Sequence, residues 1–241
     1  MFNNDKRPSP RSQRCHRPRR HAPLHWAAAR KMPAAVQALL DDGADPNAQD
    51  KDGATPLHWA VADRSPAKPP PIARVGDTQL SPALRCRSLE VVKALLDARA
   101  NLKARDKKGL TPLHWAAALS KTPEVVKALV DAGADSNARE DQLGHTPLHW
   151  AAQWSMAPEV VQALLDADDA DPNARDNYEE TPLHAAARWS MAPAVVQVLL
   201  DAPGTDINAR NKRGLTPLYV ATQENMGVPG VAQAIRDADG R

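Results

Sequence analysis

The sequence predicts an all-α solenoid of about six helix–turn–helix repeats with projecting turns, and three observations predict it. The first is period. A Thr-Pro-Leu-His-Trp-Ala segment has its proline at positions 56, 112 and 147, returns with substitutions at 182 and 217, and has a defective copy at Pro23, so the gaps are 33, 56, 35, 35 and 35 residues. Self-similarity at such a spacing marks stacked repeats. The second is the apolar set that follows each copy at helical spacing, such as Val160, Val161, Leu164 and Leu165. The third is punctuation: Gly-containing turns such as Asp50–Gly53 and Asp106–Gly109 precede the next Thr-Pro.

Composition allows this and excludes little. The chain has 241 residues, 42% hydrophobic and 25% charged, enough for one or two globular domains. A net charge of +2 says nothing about partners. Five of the six Trp lie after residue 50, so they belong to the repeat pattern. The two cysteines, Cys15 and Cys86, form neither a disulfide framework nor a metal spacing, which fits a reducing compartment. No run of apolar residues is long enough for a membrane helix, and the basic N-terminus lacks the apolar core of a secretory signal. An intracellular, cytoplasmic protein is expected, with a nuclear one as the variant.

Residues 1–21 carry Lys6, Arg7, Arg11, Arg14, Arg17, Arg19 and Arg20 against Asp5, with almost nothing to bury. A disordered basic tail is expected, and the sharper reading is nucleic-acid binding or nuclear import. The repeat domain spans 22–238, in units of about 22–49, 50–105, 106–140, 141–175, 176–210 and 211–238. Within a unit, Thr146 has the side chain of a helix N-cap and Pro147 suits the first helical position. Leu148, Ala151 and Ala152 form one face whose small residues allow close helix approach, and Pro158 opens the second helix. Gly43 and Gly133 stand where a left-handed residue ends that helix; Arg99 takes this place in the second unit, and Glu179 replaces a turn glycine. The 35-residue units carry one extra residue between the helices and another near the turn, read as Glu140, within Asp168-Asp169, and at Pro203-Gly204. Residues 63–88 read as an insertion of about 22 residues, an exposed polyproline-like loop. In the last unit Tyr219 and Val220 replace His and Trp, and Val231 and Ile235 are the apolar positions of a capping helix.

With a period near 33 and the Thr-Pro-Leu-His-x-Ala signature in five near-copies, the sequence resembles the ankyrin repeat family over roughly residues 22–238. The resemblance implies that the motif His hydrogen-bonds to backbone or to the Thr cap and ties unit to unit. It also implies a concave groove lined by the ends of the first helices, with turn tips projecting beside it that vary with the partner. Carried onto this chain, the tips are Lys107, Lys108, Leu110, Gln142, Leu143, His145, Asn177, Tyr178, Glu180, Lys212, Arg213 and Leu215, and the groove stripe is Leu119, Trp154 and Trp189. Extra packing under the Ser-Met-Ala-Pro turn is the alternative for that stripe. Trp26, Trp59, Trp115 and Trp150, next to the motif His, are expected in the inter-helix core.

His25, His58, His114, His149 and His184 recur at one place per unit. Stacked units hold them about 10 Å apart, whereas zinc ligands converge within about 2 Å of one ion, so no metal site is expected. No Gly-x-Ser-x-Gly, His-Glu-x-x-His or phosphate-binding glycine loop occurs, and no catalytic residue or cofactor is expected. The expectation is a monomeric, non-catalytic scaffold or adaptor that binds another protein or peptide. Mixed tip charges disfavour nucleic acid, which wants a continuous basic track. The runner-up readings are nucleic-acid association through the basic tail and a decaying structural fragment.

Overall fold

All twelve helices among the described residues begin at a proline. Proline has no amide hydrogen to leave unpaired in a first turn, and its φ is already helical, so each Pro marks an N1 position. The structure, a computed structural model, describes residues 23–62, 82–223 and 229–240. The expected basic tail 1–21 and most of the expected insertion lie outside the described residues.

The helices come in six pairs: α1 (Pro23–Ala29) with α2 (Pro33–Asp41), α3 (Pro56–Val61) with α4 (Pro82–Asp97), α5 (Pro112–Leu119) with α6 (Pro123–Asp131), α7 (Pro147–Trp154) with α8 (Pro158–Leu165), α9 (Pro182–Trp189) with α10 (Pro193–Asp201), and α11 (Pro217–Gln223) with α12 (Pro229–Asp239). First helices stack on first helices and second on second, α7 lying between α5 and α9, and α8 between α6 and α10. Two parallel layers result, the expected α-solenoid. Leu57, Leu113, Leu148 and Leu183 of the first layer meet Val92, Val126, Val161 and Val196 of the second in one continuous core. Ala116, Ala117, Ala151 and Ala152 are fully buried, and their small side chains let first-layer helices approach closely. Val231 and Ile235 close the core at its end, as the spacing of α12 predicts.

Two expectations are corrected. The sequence predicts a loop through residue 88, but α4 starts at Pro82 and runs 16 residues against 9 in α6. Ala, Leu and Arg after Pro82 favour helix, and nothing in 83–88 breaks one. Trp26 was expected in the core and is 48% exposed, its ring covered by the Arg30 guanidinium at 5.4 Å. Trp59 is buried, and Trp115 and Trp150 are half-buried.

The histidines fasten the stack. Thr55, Thr111, Thr146 and Thr181 are extended N-caps, and the imidazole three residues on accepts the cap N–H at Nδ1, at 3.1 Å for His58 and His114 and 3.2 Å for His149 and His184. With Nδ1 accepting, the neutral ring carries its proton on Nε2 and donates it across to the next unit. His58 reaches the Leu110 carbonyl (3.1 Å), His114 that of His145 (3.1 Å), His149 that of Glu180 (3.0 Å) and His184 that of Leu215 (3.0 Å). His25 meets the Ala54 carbonyl at 3.0 Å. Asparagines add a second ladder: the Asn173 amide donates to the Gly204 carbonyl (2.7 Å) and accepts the Asp206 N–H (2.8 Å).

Helices α1, α2, α4 and α6 are followed by a left-handed residue, Lys31, Gly43, Arg99 and Gly133. Gly133, at φ 90°, hands its N–H to the Val130 carbonyl while Ala134 reaches Leu129, a Schellman cap. Arg99 (φ 60°) and Glu179 (φ 58°) keep the left-handed conformation without glycine, and so does Lys31 (φ 53°), which the sequence did not reveal.

Candidate interaction surface

Each projecting turn opens with a residue whose side-chain oxygen collects the turn's own N–H groups. Asp106 Oδ1 accepts from Lys108 and Leu110, Asp176 Oδ1 from Tyr178 and Glu180, and Asn211 Oδ1 from Arg213 and Leu215. The Glu140 carboxylate does the same for Gln142, Leu143 and His145. Glu140, read from the sequence as the extra residue of its unit, is therefore the turn opener. Its N–H pairs with the His145 carbonyl as that of Asp106 pairs with Leu110, so the extra residue falls within 141–143. The longer acid spans the longer turn. At Gly109 an added Cβ would meet the Asp141 carboxylate at 2.4 Å, so this turn excludes any side chain there.

Backbone bonds join the tips into a row. Lys107 donates its N–H to Asp52 (2.9 Å), Asp141 to Lys108 (3.3 Å), Asn177 to Leu143 (2.8 Å) and Lys212 to Tyr178 (3.0 Å). Lys107, Lys108, Gln142, Leu143, Asn177, Tyr178, Lys212 and Arg213 are exposed along this row. Leu110 and Glu180, also expected at the exposed tips, are instead 6% and 8% exposed. His145 and Leu215 are half-buried. All four occupy the position just before the Thr cap, whose carbonyl receives the preceding unit's histidine. That bond pins the backbone against its neighbour and turns the side chain inward.

Inward-facing polar residues at this position carry their own partners. His145 stacks on His149 with centroids 5.3 Å apart, and its Nε2 lies 3.1 Å from the Asp176 carboxylate. Burial alone would raise the Asp176 carboxyl, but hydrogen bonds from His145 and from the N–H groups of Glu180 and Tyr178 outweigh it and hold the group below its ordinary value. In the next unit the Glu180 carboxylate accepts both guanidinium nitrogens of Arg188, at 2.7 and 2.8 Å, and the Asn211 amide at 3.0 Å. Neither Arg188 nor Asn211 was picked out from the sequence. The signal was there: Ala118 and Gln153 stand where Arg188 does, and Glu180 is the one acid preceding a Thr cap.

The stripe at the ends of the first-layer helices grades in exposure. Leu119 and Trp154 are half-buried, whereas Trp189 is 47% exposed. The connecting serines fold the turns on themselves, Ser155 and Ser190 each accepting an N–H and donating to a carbonyl two residues on. Met156 and Met191 point to solvent. Between the last two tips and α9 lies an open cleft of about 480 Å³, with Tyr178, Lys212 and Arg213 on its rim, Trp189 on its wall, and Glu180, Arg188 and Asn211 also lining it.

The pattern matches models of known repeats along most of the chain. Ankyrin repeats in three copies match residues 80–176, ankyrin repeats in many copies match 24–65 and 164–221, and a single ankyrin repeat matches 52–107. The chain belongs to the ankyrin repeat family. Ankyrin repeats are generally protein–protein interaction modules. No helix among the described residues is long and apolar enough to cross a membrane. Among the same residues no cluster of three or more His, Cys, Asp or Glu is placed to hold a metal ion.

Proposed function

We propose that this ankyrin repeat protein is a non-catalytic adaptor that seats a segment of a partner protein between its turn tips and the ends of its first-layer helices. The observation that carries the reading is the cleft between the fifth and sixth units, where Tyr178, 57% exposed, and Trp189 stand beside Lys212 and Arg213. Aromatic side chains lose little entropy on contact and are enriched among the residues that dominate interface energies. The histidines support the non-catalytic part: in His58, His114, His149 and His184 both ring nitrogens hold the stack together. The test is affinity capture with the full chain and with a Tyr178→Ala/Trp189→Ala variant, followed by mass spectrometry. Partners held by the wild type are expected to be lost from the variant while its circular dichroism and thermal midpoint stay near wild type. An unchanged partner set would remove the cleft from the interface.

A further inference from the structure

The chemistry of the cleft says what kind of segment it takes. Resting on the reading that this cleft is the interaction surface, we infer that it recognises an acidic peptide segment in which carboxylates neighbour an aromatic or aliphatic side chain. Trp189 and Tyr178, both exposed, offer an apolar face to a side chain. Lys212 and Arg213 bring two positive charges to the cleft, while the charge of Arg188 is answered there by the carboxylate of Glu180. That carboxylate is buried and already receives the Arg188 guanidinium and the Asn211 amide, so it has little to offer a ligand. Lys212 donates one hydrogen bond, to the Asn177 carbonyl at 2.6 Å, out of three that an ammonium carries, and stays exposed.

Rival ligands fit worse. A cationic ligand held between the two rings would meet the positive rim without an accessible acid inside the cleft. A nucleic-acid backbone places a charge about every 1.7 Å and is bound by continuous basic tracks. Here the basic tips Lys107-Lys108 and Lys212-Arg213 are separated by Asp141, Gln142 and Leu143 and by Asn177, Tyr178 and Glu179. An acidic, apolar segment satisfies both rim and wall, and complementary charge would also speed its encounter.

The experiment selects a random peptide library displayed on phage against the immobilised full chain. Selection is repeated on Lys212→Glu/Arg213→Glu and on Tyr178→Ala/Trp189→Ala, all checked by circular dichroism and thermal unfolding. The expected result is enrichment of Asp and Glu beside Trp, Phe, Tyr or Leu. A fluorescein-labelled copy of an enriched peptide should lose about tenfold in affinity on charge reversal, weaken with added salt, and weaken also on loss of the two rings. Enriched peptides without acids, sensitive to the aromatic pair but indifferent to charge reversal, would overturn this inference and leave the cleft reading standing. Enrichment indifferent to both variants, or none, would overturn it too, and captured proteins would then decide the cleft reading separately. Labelled single- and double-stranded oligonucleotides form the last arm. Their binding, abolished by charge reversal while acidic peptides fail, would replace the peptide with a phosphate backbone.

Discussion

At the scale of single residues, the turn that carries Tyr178 also carries strain. Glu179 sits at φ 58°, where Gly53, Gly109, Gly144 and Gly214 stand in other units at 80°, 79°, 73° and 71°. A side chain in the left-handed region costs about 1–2 kcal/mol. Glycine there would relieve that cost but free the unfolded chain, returning about 0.4–1 kcal/mol. The Glu179–Arg175 contact at 3.7 Å is exposed at both ends and adds little. Glu179→Gly is therefore expected to stabilise the protein by about 0.5–1 kcal/mol, read as a higher urea midpoint at unchanged slope. A lower midpoint would mean that the acid does something the strain argument omits. This position was legible in the sequence because four aligned glycines show what the turn wants. Burial of Leu110 and Glu180 was not legible. Leu110 follows Gly109 and Glu180 follows Glu179, flanking the left-handed position as the exposed tip residues do, and only the histidine bond to their carbonyls shows which flank faces inward.

At the scale of elements, α9 differs from its neighbours through one ion pair. The motif Trp is replaced by Ala185, and one turn later Arg188 reaches back to Glu180 before the helix. The pair is largely screened from water, with side chains 20% and 10% exposed. Removing Arg188 leaves the buried Glu180 charge with only the Asn211 amide among its side-chain partners. Arg188→Ala is expected to cost about 2–3 kcal/mol, nearer the cost of an uncompensated buried charge than of a surface salt bridge. Leu110 and Leu215 occupy the place of Glu180 in other units, and Gln153 that of Arg188. The double variant Glu180→Leu/Arg188→Gln should therefore lie within about 1 kcal/mol of wild type, since an apolar replacement of a buried pair is often near neutral. Urea unfolding of the two variants checks this, and a double variant as unstable as the single would refute it. The sequence showed these elements well because each begins with Pro and carries its own apolar period. It misplaced the start of α4, since a proline-rich stretch masked a helix that itself opens with Pro82. It missed the cleft's Arg188 because a single cation on a helix is ordinary until its partner's position is known.

At the scale of the whole molecule, the same four histidines that tie the units together make the stack sensitive to acid. Burial removes water from the rings and pushes His58, His114 and His149 down from 6.5 to about 4, against the opposing pull of their carbonyl acceptors. His184 is lowered for the same reason. In the unfolded chain these rings bind protons near pH 6.5, but in the folded chain only near pH 4, so between those values the unfolded state holds more protons. Stability is then complete above about pH 6.5, falls as pH drops through the window, and levels off once the folded rings protonate. Each fully desolvated ring contributes about 1.4 kcal/mol per pH unit within the window. Three such rings bring the loss near pH 5 to about 6 kcal/mol, comparable with the entire stability of an ordinary domain. Protonation also puts a hydrogen on Nδ1, which ends its acceptance of the Thr cap N–H and so loosens the start of a first-layer helix in every unit it touches. The expected outcome is cooperative loss of helical circular dichroism between about pH 5.5 and 4.5, with the urea-derived stability falling on a slope of about three protons per molecule. A stability that stays flat from neutral pH down to 5 would mean that the rings are not shielded from water, and the ladder would then be a weaker fastener than its distances imply.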